Sequence, residues 1–201
     1  GEIVPAFFGS DSLWNYEIGA KTRWLDDRLS ANIAIYQIDW KDIQVTRTSG
    51  TGFTFIDNAG KARIRGFELE AVARPTDSLT WTGTIGPIDG KITQPVPGVA
   101  LDGAQLPGSP KWTFSTSLQQ NFKLGENEGF IRGDLLHYGA YDDAFAIIGR
   151  PAENGDYVKI DLRGGLTLGN IDLGVFVTNL TDARPILART TFLADSKTSL
   201  Q

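Results

Sequence analysis

Polar and apolar positions alternate with a period of two over most of this chain, the pattern of β-strands whose two faces meet different surroundings. Between Leu13 and Leu25, the residues Trp14, Tyr16, Ile18, Ala20, Thr22 and Trp24 share one face, while Asn15, Glu17, Gly19, Lys21 and Arg23 share the other. A compact turn at Asp26-Asp27-Arg28 leads into a second strand predicted from Leu29 to about Arg47. Its phase is clear at Leu29, Ala31, Ile33 and Ile35 and blurs from Tyr36 to Trp40. The chain returns from Phe53 to Ala73, with Phe67, Leu69, Ala71 and Ala73 opposite in direction to Gly66, Glu68 and Glu70. After a turn at Pro75-Thr76-Asp77-Ser78, Leu79, Trp81, Gly83 and Ile85 alternate with Thr80, Thr82 and Thr84.

A loop from about Pro87 to Pro110 holds five prolines, and Pro87 is expected to mark an early strand end or a bulge. The next hairpin pairs Trp112, Phe114, Thr116, Leu118 and Phe122 with the segment from Gly129 to Tyr141, across a turn from Leu124 to Glu128. A second long loop, Asp142 to Asp156, precedes a strand with Val158, Ile160, Leu162, Leu166 and Leu168 on one face and Tyr157, Lys159, Asp161, Arg163 and Thr167 on the other. Gly169-Asn170 reads as a two-residue hairpin turn with glycine first, and Ile171, Leu173, Val175 and Val177 continue the apolar face to Asn179. The tail from Pro185 to Gln201 reads as an outer loop whose returning strand is absent.

About eight strands therefore alternate short turns with long loops, and all-β is the predicted class. Composition agrees: there are 23 glycines and 5 tryptophans, and no apolar run approaches the roughly 18 to 20 residues of a spanning helix. A formal charge of −5 with dispersed basic residues speaks against nucleic acid, and the absence of cysteine removes thiolate chemistry and disulfides.

The apolar stripes fit two architectures: a soluble β-sandwich with a dry core, which would be a binding module for a ligand such as carbohydrate, or a membrane β-barrel with a lipid face. Three features favour the barrel. The polar face mixes Gly, Thr, Ser and Asn with Glu, Lys, Asp and Arg, as a wet lumen does. Turns and long loops alternate strictly. Trp14, Trp24, Trp81 and Trp112 fall near strand ends, where aromatic girdles anchor barrels at headgroup level. At about 3.3 Å per residue the second strand outruns the bilayer, so its far half should project into water.

Against this pattern, Leu13-Trp14-Asn15-Tyr16-Glu17-Ile18-Gly19-Ala20-Lys21-Thr22, the stretch Ala31 to Gln44, Asn58-Ala59-Gly60-Lys61-Ala62, Gly66-Phe67-Glu68-Leu69-Glu70, Leu106-Pro107 to Pro110, and Val177-Thr178-Asn179-Leu180-Thr181-Asp182 follow one another in order. Together they resemble the C-terminal part of the barrel of a TonB-dependent outer-membrane receptor. The motif residues carrying the resemblance are Tyr16, Glu17, Gly19, Asn58, Ala59, Gly60, Gly66, Glu68, Glu70, Asn179, Leu180 and Asp182. The resemblance implies a barrel of about 22 strands around an N-terminal plug. It also implies import of a siderophore, cobalamin or glycan with energy supplied through TonB, in the outer membrane of a Gram-negative bacterium. Residues 1–201 would then be one partial domain, lacking plug, early strands and closing strand. Its expected partners are lipid, the plug, the remaining strands, the TonB complex and the cargo. As a fragment it would not transport by itself.

No catalytic role is expected. Glu68 and Glu70 project from one face about 7 Å apart, a spacing that invites comparison with a glycosidase pair. They are read instead as lumen carboxylates matched to lysines, arginines or the plug. His137 is the single histidine, read as a lumen or loop-base residue, so no multi-histidine metal site is available and no cofactor is expected. The Asn179-Leu180-Thr181 sequon is read as chance. Cargo contacts are assigned to loop aromatics, namely Phe53, Phe55, Tyr141 and Phe145, with the polar segment Gln94 to Gln105 beside them.

Overall fold

In a computed structural model, which describes residues 7–49, 51–58, 60–95, 100–142, 145 and 153–187, the alternating segments form strands joined edge to edge. Ala59 and residues 188–201 lie outside the described residues. The strands are β1 (Ser12–Trp24), β2 (Leu29–Lys41), β3 (Gln44–Thr48), β4 (Thr54–Asn58), β5 (Lys61–Ala73), β6 (Leu79–Gln94), β7 (Trp112–Leu124), β8 (Asn127–Tyr138), β9 (Tyr141–Asp142), β10 (Glu153–Asn154), β11 (Tyr157–Leu168) and β12 (Ile171–Val177). Eight of them make one antiparallel sheet in the order β1-β2-β5-β6-β7-β8-β11-β12, while β3-β4 and β9-β10 are small separate ladders. Each long strand pairs with the next long strand in the chain, which is up-and-down topology.

Register fixes the faces. One row runs Ala20, Ile33, Leu69, Ile85, Phe114, His137, Val158 from β1 to β11. The intervening residues form the opposite face, where a row runs Arg23, Ser30, Val72, Thr82, Ser117, Asp134, Asp161. No second sheet covers the apolar face among the described residues: Ile18 is 74% exposed and Val175 76%. A soluble sandwich buries such a stripe, so the sandwich alternative fails, and the exposed face is the lipid face of an open barrel sector.

Turns at one end are tight. Leu25, Asp26 and Asp27 all have positive φ, and Arg28 ties this turn to the next by donating from Nη2 to Asp77 at 2.6 Å and from Nη1 to the Arg74 carbonyl at 3.3 Å. At the other end the structure departs from expectation in four ways. The second strand ends at Lys41, because Asp42 adopts φ 56° and redirects the chain into the β3-β4 ladder. The return strand is likewise divided, at Gly60 with φ 82°. β6 does not stop at Pro87 but continues to Gln94; Pro87 still faces Trp112, the next backbone N–H along, that of Ile88, donates to Lys111 O, and the register irregularity lies at Lys61/Ala62. His137 sits at the loop base, one residue before the end of β8, but on the outward face between Trp112 and Phe114, with ring centroids 4.7 and 5.5 Å away, so of its two expected places the lumen is the one that fails.

The buried core lies on the inner face at the long-loop end. Ile43, Ala62, Ile92, Ala100 and Leu106 are packed together, with Trp40, Val45, Ile64, Ala104 and Phe145 against them. The segment after β6 folds back along its edge: Ile92 N donates to Ala104 O, Gly103 N to Ile92 O and Leu106 N to Gly90 O. These bonds satisfy the upper part of β6, which extends past the end of β7.

Candidate functional site

The inner face changes character along the strand axis. At its outer end Tyr138, Tyr141 and Tyr157 converge: Tyr138 and Tyr157 stack at 5.8 Å, and Tyr138 meets Tyr141 edge to face at 5.8 Å. Tyr138 ends β8, Tyr157 begins β11, and the two are directly paired, so the ladder itself sets the stack. The Tyr141 hydroxyl donates to the Leu187 carbonyl, which ties the loop base to the segment after β12.

Across the sheet, on β1, β2, β5 and β6, lies a groove of about 590 Å³ lined by Glu17, Lys21, Asn32, Glu68, Glu70 and Thr84, with Gly19 and Gly86 giving it depth; it is level with the tyrosines, because the row of Gly86 runs through Thr113 to Tyr138 and Tyr157. Asn32 Nδ2 donates to Glu70 Oε2 at 3.1 Å, whereas Glu17, Lys21 and Glu68 form no ion pair among the described residues. The expected matching of Glu68 and Glu70 to lysine or arginine within the wall is therefore absent. Three carboxylates and one ammonium face the lumen with spare hydrogen-bonding capacity, a surface that suits a cationic partner. Further along the sheet Asp134 accepts from Arg132 Nε and Nη2 at 2.8 and 2.6 Å and from Arg163 Nη2 at 3.0 Å, while Asp161 accepts from Lys159 Nζ at 2.9 Å and from the Asn179 backbone N–H at 2.7 Å. These charges neutralise one another and stiffen the wall.

The motif residues have identifiable tasks. Asn58 closes the elbow between the long sheet and the β3-β4 ladder: its Nδ2 donates to Asp42 O at 2.6 Å and its Oδ1 accepts from Gly9 N at 2.9 Å. A Cβ on Gly60 would lie 1.8 Å from the Gln94 carbonyl oxygen, so both φ and space require glycine. Gly66 lies under the ring of Tyr36. Tyr16 points outward and Glu17 inward. Asn179, at φ 55°, folds the chain back beyond β12: its Oδ1 accepts from Ala183 N at 2.9 Å, Leu180 N donates to Ile160 O at 2.8 Å, and Asp182 N donates to Asn179 O at 2.9 Å.

Of the loop aromatics, Phe53 is 72% exposed at the tip of the β3-β4 ladder, and Phe55 is half-buried on β4. Phe145 packs into the core, which makes it a structural residue, and Tyr141 belongs to the tyrosine cluster. Sequence reasoning missed Tyr138 and Tyr157. The available signal was an aromatic at each end of one long loop.

Fold and site together define a sector of an outer-membrane β-barrel with a lipid face, a polar lumen and a roofed outer end. The profile of the family described as TonB-dependent receptor-like, beta-barrel, matches residues 12–180, and the chain belongs to that family. It is 31% identical over 173 residues to the metal-pseudopaline receptor CntO of Pseudomonas aeruginosa, an alignment covering 84% of this chain and 23% of that protein. Among solved structures it resembles the ferric yersiniabactin uptake receptor FyuA from Yersinia pestis, with TM-score 0.75 and 21% identity over 92% of this chain and 28% of that one. It also resembles the ferric-catecholate import receptor Fiu from E. coli K12, with TM-score 0.65 and 22% identity over 90% and 25% of the respective chains. The chain thus spans about a quarter of the length of these relatives. Its setting is the outer membrane of a Gram-negative bacterium.

Proposed function

We propose that this chain is the C-terminal sector of the barrel wall of a TonB-energised importer whose cargo is a chelated metal ion, and that it carries no catalytic step. The observation that carries this reading is the division of one sheet into a bare apolar outer face and a polar inner face that bears the Tyr138, Tyr141 and Tyr157 cluster at the outer end of β8 and β11. The rings offer flat surface and hydroxyls to a chelate of mixed polarity. Glu17 and Glu68, with no ion pair among the described residues, and Glu70, held by Asn32, are suited to cations on a plug occupying the lumen. The names of the relatives, receptors for metal–pseudopaline, ferric yersiniabactin and ferric catecholate, favour a metal chelate over cobalamin or a glycan.

The test is binding by the receptor that carries this chain, purified in detergent and titrated with metal-loaded pseudopaline, ferric yersiniabactin, cobalamin and a maltooligosaccharide. A metal chelate should bind selectively, and Tyr157→Ala or Tyr138→Ala should weaken it about tenfold, the loss of one stacking contact of about 1–1.5 kcal/mol. Selective binding of cobalamin or glycan overturns the cargo class, and unchanged affinity in both variants overturns the tyrosine assignment.

A further inference from the structure

Among the described residues, hollows open on the inner face at successive levels, and each borders β6 or β7. The groove of about 590 Å³ reaches Thr84, Gly86 and Thr113. A smaller hollow of about 270 Å³ lies between Thr82, Ser115 and Ser117 on one side and Arg132, Asp134 and Lys159 on the other. A third, of about 1000 Å³, sits at the turn end and is lined by Asn121, Phe130, Gly165, Thr167 and Asp172. Its aromatic wall is fixed, since Phe130 lies over Gly165 so closely that a Cβ there would stand 2.5 Å from the ring.

Between the first level and the last, β6 and β7 send only uncharged side chains inward. Thr84 lies opposite Ser115, Thr82 opposite Ser117 and Thr80 opposite Gln119. At the upper end Thr113 is the ladder partner of Tyr138, and at the lower end Asn121 is the partner of Phe130. At about 3.3 Å per residue this strip runs about 26 Å, from the tyrosine cluster to the turn-end hollow. Charge stands on both sides of it: Glu17, Glu68 and Glu70 on β1 and β5, and the Arg132–Asp134–Arg163 and Lys159–Asp161 bridges on β8 and β11.

The hydroxyls of the strip bond to one another. Thr82 Oγ1 and Ser117 Oγ are 2.6 Å apart, and Thr84 Oγ1 and Ser115 Oγ 2.8 Å. Two hydroxyls that share one hydrogen bond keep a donor and lone pairs for a guest, and each rotates to suit it. Such neutral bonds are worth about 1 kcal/mol, roughly half of a charge-assisted one. A plug held by its cations at Glu17, Glu68 and Glu70 therefore parts most readily from β6 and β7. A solute that must move on needs contacts that are many and weak, which is what this strip offers.

We infer that the chelated metal crosses the receptor between the plug and this strip, descending from Tyr138 past Ser115 and Ser117 to the hollow at Phe130. The occupant is the cargo and not a lasting plug contact, because the strip has neither charge nor apolar side chain to hold a protein segment, and both its ends open into hollows of the size that small ligands fill. The inference rests on the importer reading above.

The test uses cells producing the receptor that carries this chain, given metal-loaded pseudopaline or ferric yersiniabactin with a radioactive metal. Surface binding is measured after a protonophore stops import, and uptake without it. Ser117→Trp should lower uptake about tenfold at unchanged binding, because a bulky ring in a multi-site passage raises its barrier by about 1.4 kcal/mol. Ser30→Trp, in the row of Ser117 but three strands away, should leave both unchanged. Ser117→Cys, in a chain with no cysteine of its own, keeps the test open if the tryptophan variant does not assemble. A cationic methanethiosulfonate should modify it faster during import than after the protonophore, and Ser30→Cys should show no such difference. Full uptake by Ser117→Trp, or modification of Ser117→Cys at a rate independent of import, overturns the passage, and equal effects at residue 30 overturn its place on β6 and β7. Wild-type uptake beside either result removes the passage alone; uptake of neither chelate by the wild type overturns the importer reading and the passage with it.

Discussion

The ring of Tyr36 covers Gly66 on the lumen side, so closely that a Cβ on residue 66 would stand 2.2 Å from the ring's Cζ. The two residues are direct partners in the β2-β5 ladder, and the phenol fills the place of the missing side chain. A glycine that would otherwise weaken β5 is thereby turned into a packing socket. Gly66→Val should displace the ring and cost about 1–3 kcal/mol. Tyr36→Ala combined with Gly66→Val should recover part of that loss, since the clash is then gone. Urea midpoints of the folded receptor in vesicles check both, and a double variant no better than the single one rejects the socket.

Gly60→Ala faces two penalties: a positive φ that costs an L-residue about 1–2 kcal/mol, and a carbonyl oxygen already occupying the Cβ position. The loss should stay at the outer end. Hydrogen exchange should rise in β3, β4 and the end of β6 while β7 and β8 keep their protection, and uniform loss over the whole sheet would contradict this.

Asn58→Ala removes the donor to the Asp42 carbonyl and the acceptor for Gly9 N, and should destabilise the elbow locally by about 1–3 kcal/mol. Asn58→Asp keeps the acceptor but not the amide donor, so it should rescue only in part. Protease cleavage between residues 42 and 58, followed by mass spectrometry, distinguishes the three proteins.

On the two faces of β2, neighbouring residues should respond oppositely to the same charge. Ile33→Lys places an ammonium in lipid and should cost about 2–4 kcal/mol near mid-membrane, whereas Asn32→Lys faces the lumen beside Glu70 and should be close to neutral. Refolding into lipid vesicles, followed by heat-modifiable migration, reads the difference. Equal losses at both positions would mean that the faces are assigned wrongly.

Ile92→Ala should open the roof of the lumen. Ile92 is 1% exposed, and truncating a buried isoleucine costs about 2–5 kcal/mol. The expected signature is faster exchange at residues 100–106 with an unchanged midpoint for the sheet as a whole, and unaltered exchange there would show that the loop is held by its backbone bonds alone.

The sequence by itself determined the membrane-level course of the long strands, the short turns and the division into lipid and lumen faces, because each follows from a period-two pattern that any flat pairing of neighbours preserves, and its ordered motifs resembled the family to which the chain belongs. Alternation also announced Glu68 and Glu70 as lumen residues and Trp14 and Trp24 as girdle. Only the tertiary structure decided what happens above the membrane. There the chain no longer alternates for a simple pair of solvents: Trp40, Ala62 and Ile92 point inward and are apolar because a returning loop packs on them, and Arg63, Arg65 and Lys91 point outward and bond to Asp39, Gln37 and Asp89. The strand ends at Asp42 and Gly60 depend on a side chain, Asn58, reaching across the break, and the stack of Tyr138 on Tyr157 depends on the β8-β11 register. Such contacts join residues that are distant in the chain, and no periodicity of either partner encodes them.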